Sequence, residues 1–456
     1  MSSLVITNGR VIDPASGIDS SGDIVITDGH ISALGSGAAD GVEADRTIVA
    51  SGLVVAPGFI DLHVHLREPG QEHKETIATG ARAAAAGGFT TICAMPNTQP
   101  AIDNAALVEA SLKEAAASSV VRVLATGCIT KDRAGAELAP MAELVAAGAV
   151  ALTDDGDFVA DAGVMRRAFQ YASRWNLPLA QHCEDPSLVA GGQMHEGWVS
   201  ARLGLPGRPS SAEVAAVARD IALAEELGAH LHIQHLSTAR AVQLVAEARA
   251  RDVHVTAEVT PHHLTLTQDA IAFGLDGNGG GGGGGEHGDL LYDTNAKVNP
   301  PLREAADVAA CVEGLRTGVI DCIATDHAPH TRHEKQTEFD QAPPGLIGLE
   351  TAFGLSMRLV HEGRLDLATL IERFTAGPVR AWGLDARTGI AGLGTLKIGA
   401  PGDVAILDPG AEWIVDAATI ASRSSNTPLL GETLRGRVLT TVAAGQVVYD
   451  VATIPV

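Results

Sequence analysis

The spacing of hydrophobic positions changes twice along the chain. In the first fifty-odd residues, short apolar runs (Leu4-Val5-Ile6, Val11-Ile12, Ile24-Val25-Ile26) are separated by Asn8-Gly9 and Asp28-Gly29, dipeptides that favour tight hairpin turns. The last sixty or so residues read the same way, with strands at Asp403 to Leu407 and Val438 to Val442 and a turn at Ala444-Gly445-Gln446 leading into Val447-Val448-Tyr449. Neither end carries enough strands for a good sheet of its own, so residues 1–56 and 386–456 are expected to pair as one small β-sandwich. Across 57–385 the pattern alternates between strands and helices. Candidate strands at 57–66, 89–96, 121–129, 149–154, 178–184, 230–236, 253–260 and 320–326 are mostly separated by Ala-rich amphipathic stretches such as Glu75 to Ala86 and Val214 to Leu227. Eight such units predict an α/β fold, a (β/α)8 barrel. A doubly wound open sheet is the alternative, but it would carry a Gly-rich dinucleotide fingerprint after its first strand, and the sequence has none there.

Composition narrows the picture. With 456 residues, 46% of them apolar, the chain is expected to bury a large core. No apolar run approaches the length of a membrane span, and Met1 to Arg10 lacks a basic segment followed by an apolar one, so the cytoplasm is the expected compartment. Five scattered cysteines without a C-x-x-C pair predict reduced thiols, with neither a disulfide framework nor a thiolate metal site. A net charge of −23 argues against nucleic acid and anionic membrane as partners, and a small anionic substrate would need its own local cation. The glycine run Gly279 to Gly285, after the seventh strand, reads as a flexible loop near the barrel mouth, either a mobile cover or, more simply, a neutral insertion.

Candidate chemistry lies at the ends of the apolar runs. His63 and His65 share one face of the first strand and can grip a single metal ion, although a lone His-X-His is as often a hydrogen-bonded core pair. Further along come Asn97, the pair Asp154-Asp155, His182, His235 and Asp326, each at the carboxyl end of a predicted strand, where α/β barrels keep their active sites. Ligation by nitrogen and oxygen alone suits catalytic Zn²⁺ or a similar divalent ion, and so many ligands suggest two ions sharing a carboxylate. Spacing does not decide which aspartate that is. Two divalent cations lower the pKa of water and polarise an amide carbonyl, and a nearby carboxylate, for which Asp326 is the choice, must then move a proton to the leaving nitrogen. Arg67, two residues beyond His65, has the fork geometry to hold a substrate carboxylate; a salt bridge to Glu68 or Glu72 is the structural alternative. His262 and His263 are expected to orient ligands or pack beneath the mouth, and His230, His232 and His254 to be interior residues. Cys183 and Cys322 are expected to be buried as small apolar side chains.

Nine motifs, in order over nearly the whole chain, resemble those of the cyclic amidohydrolases and specifically the class I dihydroorotases: Asp61 to Gly70, Met95 to Thr98, Thr153 to Gly156, His182 to Glu184, His235 to Thr238, Thr260 to Leu264, Asn299 to Arg303, Thr325 to His330 and Gly345 to Glu350. The resemblance implies that His63, His65 and Asp326 hold one zinc ion, that His182 and His235 hold a second, and that Asp155 bridges them. Hydantoinases and dihydropyrimidinases use a carbamylated lysine as that bridge. Arg67, Asn97 and His330 are then the expected contacts to the substrate carboxylate, with Asn299, Pro343 and the Gly345 backbone around the ring amide. The implied reaction is the reversible cyclisation of N-carbamoyl-L-aspartate to dihydroorotate, by a homodimer that can associate with aspartate carbamoyltransferase. Two other functions are weighed: a hydrolase of hydantoins, dihydropyrimidines or allantoin, and a non-catalytic scaffold of aspartate carbamoyltransferase. Every ligand position is retained, which disfavours the scaffold, and Asp154-Asp155 in place of lysine disfavours the hydantoinase.

Overall fold

The computed structural model describes residues 3–273 and 291–453, so the glycine run lies outside the described residues. Five strands open the chain: β1 (Ser3–Asp13), β2 (Ile18–Thr27), β3 (His30–Gly35), β4 (Arg46–Val49) and β5 (Val54–Pro57). Next come β6 (Phe59–Val64), β7 (Phe89–Ala94), β8 (Arg122–Gly127), β9 (Ala149–Thr153) and β10 (Leu179–Gln181), followed by a short parallel pair, β11 (Met194–His195) and β12 (Gly207–Arg208). Then follow β13 (Leu231–Ile233), β14 (Val255–Val259) and β15 (Cys322–Ile323), and finally β16 (Val404–Ile414), β17 (Thr433–Ala443) and β18 (Gln446–Asp450).

Strands β6 to β10 and β13 to β15 lie side by side in chain order, all parallel, in a nearly closed eight-stranded barrel wrapped by helices. The strands are apolar on both faces because one face meets the barrel interior and the other the helices; Phe59, Leu62, Phe89, Leu152 and Ile233 are essentially fully buried. Each such side chain contributes roughly 1.5–3 kcal/mol. Inside, Ile60, Leu62, Cys93, Val150 and Cys322 pack with Trp382 in one buried cluster. Cys183 and Cys322 are both buried.

The eighth strand is shorter than its apolar run predicts. Beyond Ile323 the chain leaves the ladder, and closure onto β6 passes to a side chain and one isolated main-chain bridge: the Asp61 carboxylate accepts from Thr325 N at 3.1 Å and Thr325 Oγ1 at 2.6 Å, and His65 N donates to the His327 carbonyl at 2.9 Å. Burial pushes the Asp61 carboxyl up to about 7, against the pull of those hydrogen bonds.

The terminal strands share one mixed sheet, ordered β18-β17-β16-β5-β1-β2-β3 with β4 also on β1. Its two arms meet across an apolar cluster containing Ile6, Ile24, Ile26, Val55, Val404, Ile406 and Val442. Asp28-Gly29 forms the expected hairpin between β2 and β3. Asn8-Gly9 does not. It is a bulge inside β1, which runs on through it paired to β2, because Asn8 takes a left-handed φ of 60° while its N–H donates to Asp23 Oδ1 at 2.9 Å. Among the described residues no helix is long and apolar enough to cross a membrane.

Candidate active site

At the carboxyl ends of the barrel strands, six side chains from five loops converge. His63 ends β6 with His65 just beyond it, Asp155 follows β9, His182 follows β10, His235 follows β13 and Asp326 follows β15. All are buried. Asp155 stands at the centre, with Oδ1 at 3.3 Å from His63 Nε2, 3.7 Å from His235 Nε2 and 3.8 Å from His182 Nδ1, and Oδ2 at 3.4 Å from His65 Nε2. Asp326 Oδ1 approaches His65 Nε2 at 2.9 Å and His63 Nε2 at 3.4 Å. Two potential metal-holding groups result, His63-His65-Asp155 and Asp155-His182-His235, and they share the aspartate. The residues fit divalent cations: the donors are all nitrogen and oxygen, and the buried His63 Nε2 and Asp155 Oδ1 have no hydrogen-bond partner among the described residues.

Asp154 points the other way. Its Oδ1 accepts from Ile129 N at 2.8 Å and Thr130 N at 3.0 Å, and Oδ2 takes the Thr130 hydroxyl, so it secures the loop after β8. Of the two aspartates, Asp155 faces the histidines and Asp154 does not.

The imidazoles are oriented from behind. His63 Nδ1 meets Glu258 Oε1 at 2.6 Å, His65 Nδ1 donates to Asn97 Oδ1 at 2.8 Å, and His182 Nε2 meets Glu184 Oε2 at 3.1 Å. Such partners set the tautomer, leaving the opposite nitrogen to face the centre. Glu258, the penultimate residue of β14, also binds His232 Nε2 at 3.2 Å; burial raises its pKa, but His63 and His232 outweigh that and hold it at about 2. Glu184 is held at about 2 as well, burial being outweighed by His182 and Arg208, the latter at 2.7 Å. The loop bearing His235 is pinned by Glu213, which accepts from Ser237 N at 3.2 Å and Thr238 N at 3.0 Å. Arg67, His235 and Asp326 all adopt left-handed backbone (φ 61°, 32° and 49°), conformations that cost of order 1 kcal/mol or more each and that their surroundings must hold in place.

A cavity of about 230 Å³ opens over this centre, lined by Arg67, Asn97, Asn299, His330 and Gly345 among others. Arg67 is buried, makes no salt bridge to Glu68 or Glu72, and donates from Nε to the Pro329 carbonyl at 3.2 Å. Burial lowers its pKa to about 10, against the pull of Asp326 and Asp155, so it remains a cation at neutral pH. His330 Nε2 donates to the Pro344 carbonyl at 2.9 Å, and burial beside Arg67 drives its pKa to about 2, so the ring is neutral. Asn299 Oδ1 is shielded without a partner among the described residues. One placement differs from expectation. Pro344, not Pro343, faces the cavity, because the Pro343 carbonyl is turned back to accept Lys335 Nζ at 2.7 Å. The Gly345 N–H is spent on the Lys297 carbonyl at 2.8 Å, and its carbonyl, which accepts from Asn426 Nδ2 at 3.1 Å, keeps its second lone pair as the polar group on offer.

His262 and His263 are buried beneath the mouth; His263 binds Thr260 Oγ1 at 2.8 Å and donates to the Pro300 carbonyl at 3.0 Å. His230 stacks on His254 at the far end of the strands, with ring centroids 3.9 Å apart. Sequence reasoning missed Glu258. Its signal was present: a lone carboxylate inside the apolar run Val255-Thr256-Ala257-Glu258-Val259 must have a buried partner.

Comparison with known proteins gives consistent answers. The family model Dihydro-orotase-like matches residues 52–241. Over 450 residues, 98% of both chains, the sequence is 51% identical to the dihydroorotase of Anaeromyxobacter sp. (strain K). It is 49% identical to that of Citrifermentans bemidjiense over 447 residues, 98% of this chain and 99% of that one. Among solved structures, the L-hydantoinase (dihydropyrimidinase) of Arthrobacter aurescens superposes with a TM-score of 0.84 at 25% identity, covering 100% of this chain and 98% of the other. A D-hydantoinase from Thermus sp. shares the fold, with a TM-score of 0.81 at 24% identity over 97% and 94% of the two chains.

Proposed function

The chain belongs to the dihydroorotase family, and from that premise we propose that its cavity interconverts N-carbamoyl-L-aspartate and dihydroorotate, with Asp326 as the proton-transferring group. The observation that carries this reading is Arg67, a buried cation that forms no salt bridge among the described residues, on the wall of a cavity whose floor is the histidine and aspartate cluster. Both compounds keep a carboxylate throughout the reaction, and an acidic protein must supply it a specific anchor.

His63, His65 and Asp326 would hold one divalent cation and His182 and His235 another, with Asp155 between them. When bound, such ions, of which zinc best suits this donor set, lower the pKa of water and polarise the amide carbonyl. In ring opening a water oxygen bonds to the amide carbon and the carbon–nitrogen bond breaks. Asp326 takes a proton from the water and delivers it to the leaving nitrogen, and ring closure runs the same steps in reverse. Its position suits that task, since Oδ1 is engaged with His65 while the carboxylate borders the cavity. Arg67 fixes the substrate carboxylate, with Asn97 and His330 beside it, and Asn299 and the Gly345 carbonyl address the ring amide.

The test is turnover of the purified, metal-loaded protein on dihydroorotate beside hydantoin, dihydrouracil and allantoin. Dihydroorotate is expected to be the preferred substrate, with activity lost on chelation and restored by a divalent ion. Preference for an uncharged ring would instead favour the hydantoinase reading, and full turnover in a sample free of metal by elemental analysis would overturn the role given to the cluster.

A further inference from the structure

We propose that Asn426, contributed by the connection between β16 and β17, is a positioning residue for the substrate-carboxylate wall. This rests on the reading of Arg67 given above. Residues 421–427 leave the terminal sheet and lie along the barrel mouth, tied at each step: Ala421 N and Ser422 N donate to Glu350 at 2.9 and 3.1 Å, Arg423 N to Glu75 Oε1 at 3.2 Å, and Ser424 Oγ to the Lys74 carbonyl at 2.7 Å.

Asn426 is the member of this strap that reaches the cavity wall from behind. Its Nδ2 donates to the Ala328 carbonyl at 3.0 Å and the Gly345 carbonyl at 3.1 Å, while Oδ1 accepts from His330 N at 3.0 Å. The side chain is buried and does not line the cavity. Both amide hydrogens and the amide oxygen are used, each on the main chain of a residue that does line it. Between two of those residues sits Pro329, whose carbonyl receives Arg67 Nε. One amide therefore sets the spacing between the loop carrying Ala328 to His330 and the loop carrying Gly345, and through Pro329 the place of the guanidinium. Asp326 is anchored separately, through the hydrogen bonds of Thr325 to Asp61. Loss of Asn426 should thus loosen the carboxylate wall and spare the metal-holding side.

The experiment is steady-state kinetics on dihydroorotate with metal content and thermal unfolding, for Asn426→Ala, Arg67→Lys and Ser424→Ala. Asn426→Ala is expected to raise KM on the order of tenfold, the scale of one mispositioned hydrogen bond, with kcat within roughly threefold of the parent and metal content unchanged. Ser424→Ala, which loosens the strap away from the wall, should lower Tm and leave KM alone. If Asn426→Ala does not fold, Asn426→Ser, which keeps one donor and one acceptor, carries the same comparison. A parental KM in the Asn426 variant while Arg67→Lys raises it would overturn the proposal, as would an equal rise in Ser424→Ala. An unchanged KM in Arg67→Lys would instead remove the carboxylate reading beneath it.

Discussion

Asp154 and Asp155 leave β9 in opposite directions, one to the main chain at Ile129 and Thr130, the other to four imidazoles. Burial raises the pKa of each. At Asp154 that wins, giving about 6, whereas at Asp155 the surrounding histidines win and hold it well below the carboxylate range. Asp155→Asn removes the charge that offsets two cations while keeping the volume, so it should lose bound metal and most turnover yet leave the barrel folded, with a cooperative transition no lower than that of the parent stripped of metal. Asp154→Asn should keep its metal and lose about 1–3 kcal/mol of stability, because Asn has one acceptor oxygen for three donors. Elemental analysis and thermal unfolding on the two variants separate these outcomes, and the opposite pattern would exchange the roles. At this scale the sequence was informative wherever a polar residue ended an apolar run, which is how all six clustered side chains were legible. It was silent on direction within Asp154-Asp155, because adjacent residues differ only in which way the chain turns after the strand. Asn426 was illegible for another reason: its partners are main-chain atoms of distant loops, and no residue pattern records them.

The same limit operates on elements. Alternation and apolar runs located all eight barrel strands, since a parallel strand buried on both faces has a composition that little else in the chain shares. Two features went astray. The run at 320–326 gave only the two-residue β15, because Thr325 is drawn to Asp61 and Asp326 turns left-handed. Asn8-Gly9 was read as a turn because a bulge and a tight hairpin both ask for a left-handed residue beside a glycine; what distinguishes them is the neighbouring strand. At Gly9 that neighbour is β5, and a Cβ would sit 2.4 Å from Val55 Cγ2. Gly9→Ala is therefore expected to overpack the terminal sheet and cost about 1–3 kcal/mol, read as a lower denaturation midpoint with kcat unchanged. A stability equal to the parent would mean that β5 can move away from β1 at little cost.

At the scale of the whole molecule, Glu350 joins barrel to strap. Burial, with the nearby Glu75 charge, raises its pKa from 4.5 to about 7, even though the Ala421 and Ser422 N–H groups favour its charged form. Between those values the folded protein holds a proton that the unfolded chain has released, so this group's stabilisation is complete below about pH 4.5 and is lost as pH rises through about 7. Since Glu350 is only partly shielded from solvent, the change is at most about 3 kcal/mol. Glu350→Gln should flatten that part of the profile: urea unfolding at pH 5 and at pH 7.5 should show the variant gaining on the parent at the higher pH, and a constant difference would assign the slope to other groups. The terminal sheet adds a constraint of another kind. Val55 in β5 pairs with Val11 on one side and with Ile406 on the other, so this strand is laid down early and completed only when β16 arrives from beyond the entire barrel. During translation the nascent chain must carry an apolar strand with one bare edge through the synthesis of every barrel unit, a ready template for mispairing with a neighbouring chain. An edge that stays bare until β16 is made places the risk of misassembly in synthesis, before the finished fold can protect it.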